Sequence, residues 1–365
     1  MIKPYPMKYS IRFRPLPVYR VPYRISILFL IPLLFMSCDK IGFGPEQKRS
    51  YGTENAIVQE ITFRSGDFHI SGDLRMPEEA GPHPVILMIH GSGGATRNGA
   101  VPFTPLIEIF LRQGYAVLSW DTPGSGESTG VFDQGYIITA RAHILADAIA
   151  ALSEHSSLDL SQVGLWGISQ AGWVMPMALE MTDKVTFMIS ISGGGEDGIE
   201  QGAYQVSRMI QCQGGAEEDV SRVEQYWAIM NKATDYTTYM EATQLLLDIP
   251  GIYEQYGLLL TPEENWSPWP REIDAFFDPM EVLRKTKIPV LAIFGELDKN
   301  IDPVQGAMAC EEALAAAGNP DYKVVLIEGV EHVLMPAETG CIGESAGPDY
   351  APEYLDILEM WIMDR

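Results

Sequence analysis

Two hydrophobic periods share the chain from residue 57 onward. Residues 57–64 and 68–76 place apolar side chains at every second position on either side of Ser65-Gly66-Asp67, which predicts an antiparallel hairpin. Residues 84–90 hold an unbroken apolar run, Val-Ile-Leu-Met-Ile, the pattern of a strand covered on both faces. Shorter runs of this kind recur at 115–120, 163–166, 185–190, 290–294 and 323–327. Between them, residues 105–113, 137–154, 170–181 and 350–363 carry helical patterns; Ile144, Ala148 and Leu152 mark one such face. Strands alternating with helices predict an α/β domain with a mostly parallel sheet flanked by helices.

One stretch breaks the alternation. Residues 195–283 separate two expected core strands by far more than an ordinary connection. They show helical character at 220–233 and 237–247 and hold Tyr204, Tyr226, Trp227, Tyr236, Tyr239, Tyr253, Tyr256, Trp266 and Trp269. This reads as a helical cap over the carboxyl edge of the sheet, where open α/β sheets bind ligands. Most of these aromatic residues are expected to build the cap's own core.

The N-terminus differs in charge. Six of the 25 basic residues and none of the 49 acidic ones fall within residues 1–37, leaving 19 basic against 49 acidic in the rest. So acidic a remainder excludes nucleic acid as a natural partner, because phosphate binding needs basic surface. The apolar run at residues 25–37 is 13 residues long. A membrane-spanning helix needs about 20, so the run is expected to be a secretory signal. Phe35-Met36-Ser37-Cys38 resembles a relaxed bacterial lipobox, so residues 1–37 are expected to be removed and Cys38 to carry lipid. The protein would then be an exported lipoprotein at the periplasm or cell surface, with the polar residues 38–56 as its tether and residues 57–365 as the folded domain. Cys212, Cys310 and Cys341 remain, so at most one disulfide closes within the chain. A Cys310–Cys341 bridge and three buried thiols are both open readings.

The chemistry concentrates in four places. Gly167-Ile168-Ser169-Gln170-Ala171-Gly172 follows an apolar strand and opens a helix, the setting of a nucleophile elbow, here relaxed from GxSxG to GxSxA. His90-Gly91-Ser92-Gly93-Gly94 ends an earlier buried strand, and its amides suit an oxyanion hole formed by Ser92 with Gln170. His90 itself is better suited to supporting that loop than to acting as a base. Asp298 lies just past the strand at 290–294 and His332 just past the strand at 323–327. A serine hydroxyl needs a general base, and the base needs a carboxylate to fix its tautomer. Ser169, Asp298 and His332 supply these in the chain order of one fold class. Glu296 and Asp302 compete for the acid role, but Asp302 precedes Pro303 and a helical pattern and so reads as a helix cap. No histidine or cysteine spacing suggests a metal site, and hydrolysis of this type requires no cofactor.

Taken in order, the segments PVILMIHGSGG (84–94), WDTPGSGES (120–128), VGLWGISQAGW (163–173), IPVLAIFGELDKNIDP (288–303) and GVEHVL (329–334) resemble the α/β-hydrolase superfamily, in particular bacterial serine esterases near the serine aminopeptidase S33 and dienelactone hydrolase-like groups. The resemblance implies Ser169 as nucleophile, His332 as base and then acid, Asp298 as the orienting carboxylate, and the Ser92 and Gln170 amides as oxyanion donors. The loop at 121–128 is structural in that family. The expected function is hydrolysis of a small-molecule carboxylic ester through an acyl-enzyme. A peptidase or amidase is the alternative within hydrolases; Glu196, Asp197 and Glu200 are its candidates to hold a substrate ammonium, although in so acidic a chain such residues are more often solvated surface. A thioesterase is disfavoured by export, and a non-catalytic binding lipoprotein is the alternative of another class.

Overall fold

The computed structural model describes residues 41–365 except 133–134, 248, 250–260, 269–271, 342, 345–346 and 348. The basic leader, the apolar run and Cys38 lie outside the described residues, as do Tyr253, Tyr256 and Trp269 of the expected cap.

The chain builds one ten-stranded mixed sheet. Strands β1 (Gly42–Phe43), β2 (Gln47–Tyr51), β3 (Glu54–Ser65) and β4 (Phe68–Pro77) form its antiparallel part. Strands β5 (His83–Ile89), β6 (Ala116–Trp120), β7 (Leu158–Ile168), β8 (Val185–Ile191), β9 (Val290–Gly295) and β10 (Tyr322–Ile327) run parallel in the order β6-β5-β7-β8-β9-β10. Strand β4 joins them antiparallel to β6, pairing Leu74 with Leu118. The segment read as a tether therefore needs correction: from Gly42 onward it belongs to the sheet. Its polar residues sit on edge strands with one face in solvent, and such strands carry little hydrophobic signal.

The unbroken apolar runs are explained by two cores, one on each face. Along β5, Val85, Leu87 and Ile89 enter one core while Ile86 and Met88 enter the other. The first core is closed by α2 (Ile137–Leu152), α3 (Ala171–Leu179) and α8 (Pro303–Ala317). The second is closed by α1 (Thr104–Arg112) and the final helix α9 (Pro352–Ile362), where Tyr354 accepts a hydrogen bond from Trp166 Nε1 at 3.0 Å.

Between β8 and β9 lie α4 (Gly198–Cys212), α5 (Glu217–Met230), α6 (Tyr236–Leu247) and the single turn α7 (Met280–Leu283). The first three pack on one another around small cores of their own, which take up Tyr226, Trp227, Tyr236, Tyr239 and Trp266. Tyr204 is an exception among the aromatics: its hydroxyl donates to the Asp298 carbonyl at 2.9 Å. Among the described residues one disulfide forms, and it joins Cys212 to Cys341. The pairing considered for Cys310 and Cys341 does not form, because Cys310 faces the core from α8 as a buried thiol. The bridge depends on where the cap puts the end of α4, and spacing along the chain carries no record of that.

Candidate active site

Ser169 stands at the tip of the turn from β7 into α3, with φ at 58°. L-residues rarely adopt this left-handed backbone, and the neighbours hold it there. The Ser169 amide donates to Ile191 O and its carbonyl accepts from Gly172 N, both at 2.8 Å. Space explains the small residues around it. A Cβ on Gly167 would come 2.6 Å from the Ala171 Cβ, and one on Gly172 would come 2.5 Å from the Gly193 Cα. Ala171 therefore fits where the strict motif has glycine, but only because Gly167 faces it.

The glycine-rich loop after β5 lies against this turn. A Cβ on Gly91 would stand 3.2 Å from the Ser169 Cβ. Among the described residues, neither the Ser92 nor the Gln170 amide donates to a protein acceptor. His90 is stacked flat on Phe103, and its Nε2 donates to the Trp120 carbonyl at 2.8 Å. Burial pushes its pKa down to about 4. His90 ties the loop to β6, and proton transfer is not its task.

His332 and Asp298 meet across the ends of β10 and β9. The His332 Nδ1 lies 2.7 Å from Asp298 Oδ2, with the carboxylate wholly buried. Asp298 Oδ1 accepts from Asn300 N at 2.7 Å and Ile301 N at 2.9 Å. Burial favours the neutral imidazole, but the Asp298 charge and hydrogen bond, aided by Glu331, outweigh it and leave the His332 pKa raised. With Nδ1 committed, Nε2 is the nitrogen available to take a proton. The rival acids are occupied elsewhere: Glu296 accepts from Gly329 N, and Asp302 caps α8 by accepting from Val304 N and Gln305 N.

Ser92, Ser169, Gln170 and His332 line one cavity of about 480 Å³, within the range of small-ligand sites. Its apolar wall comes from Val101, Phe103, Ile137, Ile138 and Trp173, and its polar wall from Gln201, Gln205 and Asn300. The two glutamines sit on α4, an amphipathic helix that buries Ile199 and Ile210 and lies ahead of the helical stretches expected at 220–233 and 237–247. Glu196, Asp197 and Glu200, the carboxylates considered for an ammonium, do not line it. Asp197 caps α4 instead, accepting from Ile199 N and Glu200 N. Asp274 does line the cavity, but its oxygens accept from Thr139 N at 2.9 Å and Thr139 Oγ1 at 2.6 Å.

Residues 66–333, most of the chain, match the model of one described family, and that span includes the elbow, the glycine loop and the Asp298–His332 pair. The chain belongs to the X-Pro dipeptidyl-peptidase (S15) family. Its fold and the order of its motifs are those of the α/β-hydrolase superfamily. It is 28% identical over 139 residues to the thiohydrolase aneE of Aspergillus aculeatus, covering 38% of this chain and 42% of that protein. It is 32% identical over 113 residues to the quorum-quenching protein AidA of Acinetobacter baumannii, covering 31% of this chain and 36% of that one. The similarity thus spans less than half the length of either curated relative. The acetyl xylan esterase from Paenibacillus sp. R4 shares the fold at a TM-score of 0.52 and 14% identity, with 89% of each chain covered.

Proposed function

We propose that this S15-family protein hydrolyses small carboxylic esters through an acyl-enzyme. The observation that carries the reading is the buried His332–Asp298 pair facing the same cavity as the strained Ser169 turn. In this mechanism Ser169 Oγ attacks the ester carbonyl while His332 Nε2 takes its proton. Asp298 holds the imidazole in the required tautomer and stabilises its cation. The Ser92 and Gln170 amides receive the negative charge on the carbonyl oxygen. His332 then protonates the departing alcohol and activates water to release the acid.

Family membership favours a second reading, a peptidase that releases an X-Pro dipeptide from the amino terminus of a peptide. An enzyme that grips a free amino terminus needs an unpaired carboxylate in its cavity. Asp274 is the carboxylate on this cavity's wall, and Thr139 engages both its oxygens. Two neutral donors leave further acceptor sites open on these oxygens, so the choice between the two readings falls to the substrates.

The test compares p-nitrophenyl esters of increasing acyl length with dipeptidyl-prolyl and aminoacyl p-nitroanilides, in wild type and Ser169→Ala. Ester turnover that disappears in Ser169→Ala is the expected result. Turnover of the anilides alone moves the protein to the peptidases. Turnover of neither, with Ser169 unlabelled by a fluorophosphonate, makes it a binding protein.

We also propose that the protein is exported and held to a membrane by lipid on Cys38. A disulfide between Cys212 and Cys341 is in keeping with an oxidising compartment. Palmitate labelling that persists in Cys38→Ala overturns this reading.

A further inference from the structure

Arg141 lies on α2, and its buried guanidinium touches both segments that frame the cavity. Nη1 donates to Gly91 O at 2.8 Å and to Gln170 Oε1 at 2.5 Å, while Nη2 donates to His90 O at 2.5 Å. Among the described residues, no carboxylate pairs with it. Burial, with no opposing charge, pushes its pKa down to about 10, so it is still a cation at neutral pH. A buried cation without a counter-ion is costly. Neutral donors could satisfy three neutral oxygens, so the positive charge itself needs a reason.

The peptide that joins Gly91 to Ser92 supplies one. Its carbonyl is the one Arg141 holds, and its N–H is the Ser92 amide. In a planar trans peptide the two point in opposite directions. A guanidinium fixed on the carbonyl therefore aims the amide away from itself, and Gly91 and Ser92 both border the cavity. A cation on the carbonyl also polarises the peptide and makes its N–H a stronger donor. Through Gln170 Oε1 the same guanidinium holds the residue whose amide is the second donor.

We propose that Arg141 is a positioning residue for the oxyanion hole. It sets the Ser92 and Gln170 amides relative to one another and places the cavity's uncompensated positive charge behind them. The inference rests on the reading of Ser169 as nucleophile. An interaction that strengthens only as the oxyanion forms raises kcat and leaves KM little changed.

The experiment uses the purified protein as wild type, Arg141→Lys, Arg141→Met, Gln170→Ala and the Arg141→Met/Gln170→Ala double variant. Three quantities are read: kcat and KM on the best p-nitrophenyl ester, Ki for the matching alkyl trifluoromethyl ketone, and the melting curve. The ketone's adduct with serine carries an oxyanion, so its affinity reports the hole itself. Arg141→Met is expected to lower kcat about 100-fold with KM changed less than about threefold. Its ketone Ki should rise by the same factor as kcat/KM falls. Arg141→Lys keeps the charge and should lose only about tenfold. Gln170→Ala should lose several-fold in the wild-type background and almost nothing in the Arg141→Met background.

If Arg141→Met does not fold, Arg141→Lys and Gln170→Ala decide, since Gln170 is only half-buried. Wild-type kcat and ketone affinity in both would overturn the inference, as would losses that merely follow the unfolded fraction. A wild type whose Ser169 resists fluorophosphonate overturns the nucleophile reading and this inference with it. A labelled wild type beside unaffected Arg141 variants overturns this inference alone.

Discussion

Asp298 holds His332 with one carboxylate oxygen and its own loop with the other. Oδ2 lies 2.7 Å from His332 Nδ1, and Oδ1 accepts the Asn300 and Ile301 amides. With both oxygens engaged, the carboxylate cannot rotate, and the ring it faces is fixed in plane and tautomer.

The pH profile should report this pair. His332 acts as a base only when neutral, and its pKa is raised above the usual 6.5. Ester kcat/KM should therefore fall as pH drops through a midpoint above 6.5. Asp298→Asn should move the midpoint down and lower kcat by about 10⁴-fold. A midpoint at or below 6.5 in wild type, unmoved by Asp298→Asn, would show that another group is titrating.

Asp302 supplies the control for that substitution. It stands four residues further on but only caps α8. Asp302→Ala should cost about 1 kcal/mol of stability and keep kcat within about twofold of wild type. Chemical denaturation and ester kinetics on one preparation check both numbers, and a large loss of kcat would transfer the acid role to Asp302.

Gly172→Ala should damage the elbow. The new Cβ meets the Gly193 Cα at 2.5 Å and the Gly194 N at 2.9 Å, and backbone cannot step aside as a side chain can. The expected cost is about 1–3 kcal/mol in urea unfolding, with ester turnover reduced because Ser169 shifts. An unchanged unfolding midpoint would mean that the elbow and the end of β8 are looser than their contacts imply.

Arg97 holds the loop that carries Ser92 to the sheet. Its guanidinium reaches Asp73 at 2.9 Å, Asp121 at 2.7 Å and Glu127 at 2.8 Å. Burial alone would raise the Asp121 pKa, but the Arg97 contacts and the Glu127 and Arg97 amides outweigh it, leaving the pKa lowered. Asp121 therefore stabilises the fold above its unfolded pKa, near 4, and this is lost as pH falls through the lower folded value. Arg97→Met should cost about 3 kcal/mol at neutral pH, since it leaves buried Asp121 without a cationic partner among the described residues, whereas Asp73 keeps Arg49 and Arg75 at 3.4 Å. It should also flatten stability's acid limb below about pH 4. Equal acid limbs in the two proteins, by urea unfolding at each pH, would refute the pairing.

The Cys212–Cys341 bridge ties the end of α4 to the segment that follows His332, across 129 residues of chain. A non-reduced digest should yield those two cysteines in one linked peptide. Cys310 should be alkylated only after denaturation, because it is buried and its thiol pKa is pushed up to about 12. Alkylation of Cys341 in the native, non-reduced protein would remove the bridge from this description.

Much of this was legible along the chain because it depends on neighbours in sequence. The runs at 84–90 and 290–294 announce strands covered on both faces, since alternate residues of one strand must each find apolar cover. The Ser169 turn is local too: the glycine at 167, the small residue at 171 and the glycine at 172 lie within six residues. Asp298 and His332 stand just past two apolar runs, and parallel neighbouring strands bring such positions to one edge of the sheet. Tertiary structure alone decided which acids are free, which cysteines meet and which arginine is buried. The polar strands at 42–51 gain their place from backbone pairing with β3, to which side-chain pattern contributes little. Gln201 and Gln205 reach the cavity, and Arg141 the loops that frame it, from helices whose sequence pattern says only that they are amphipathic or plain. A chain's periodicity records which face of an element is buried. What that face is buried against depends on contacts between residues far apart in sequence, which exist only after the elements have packed.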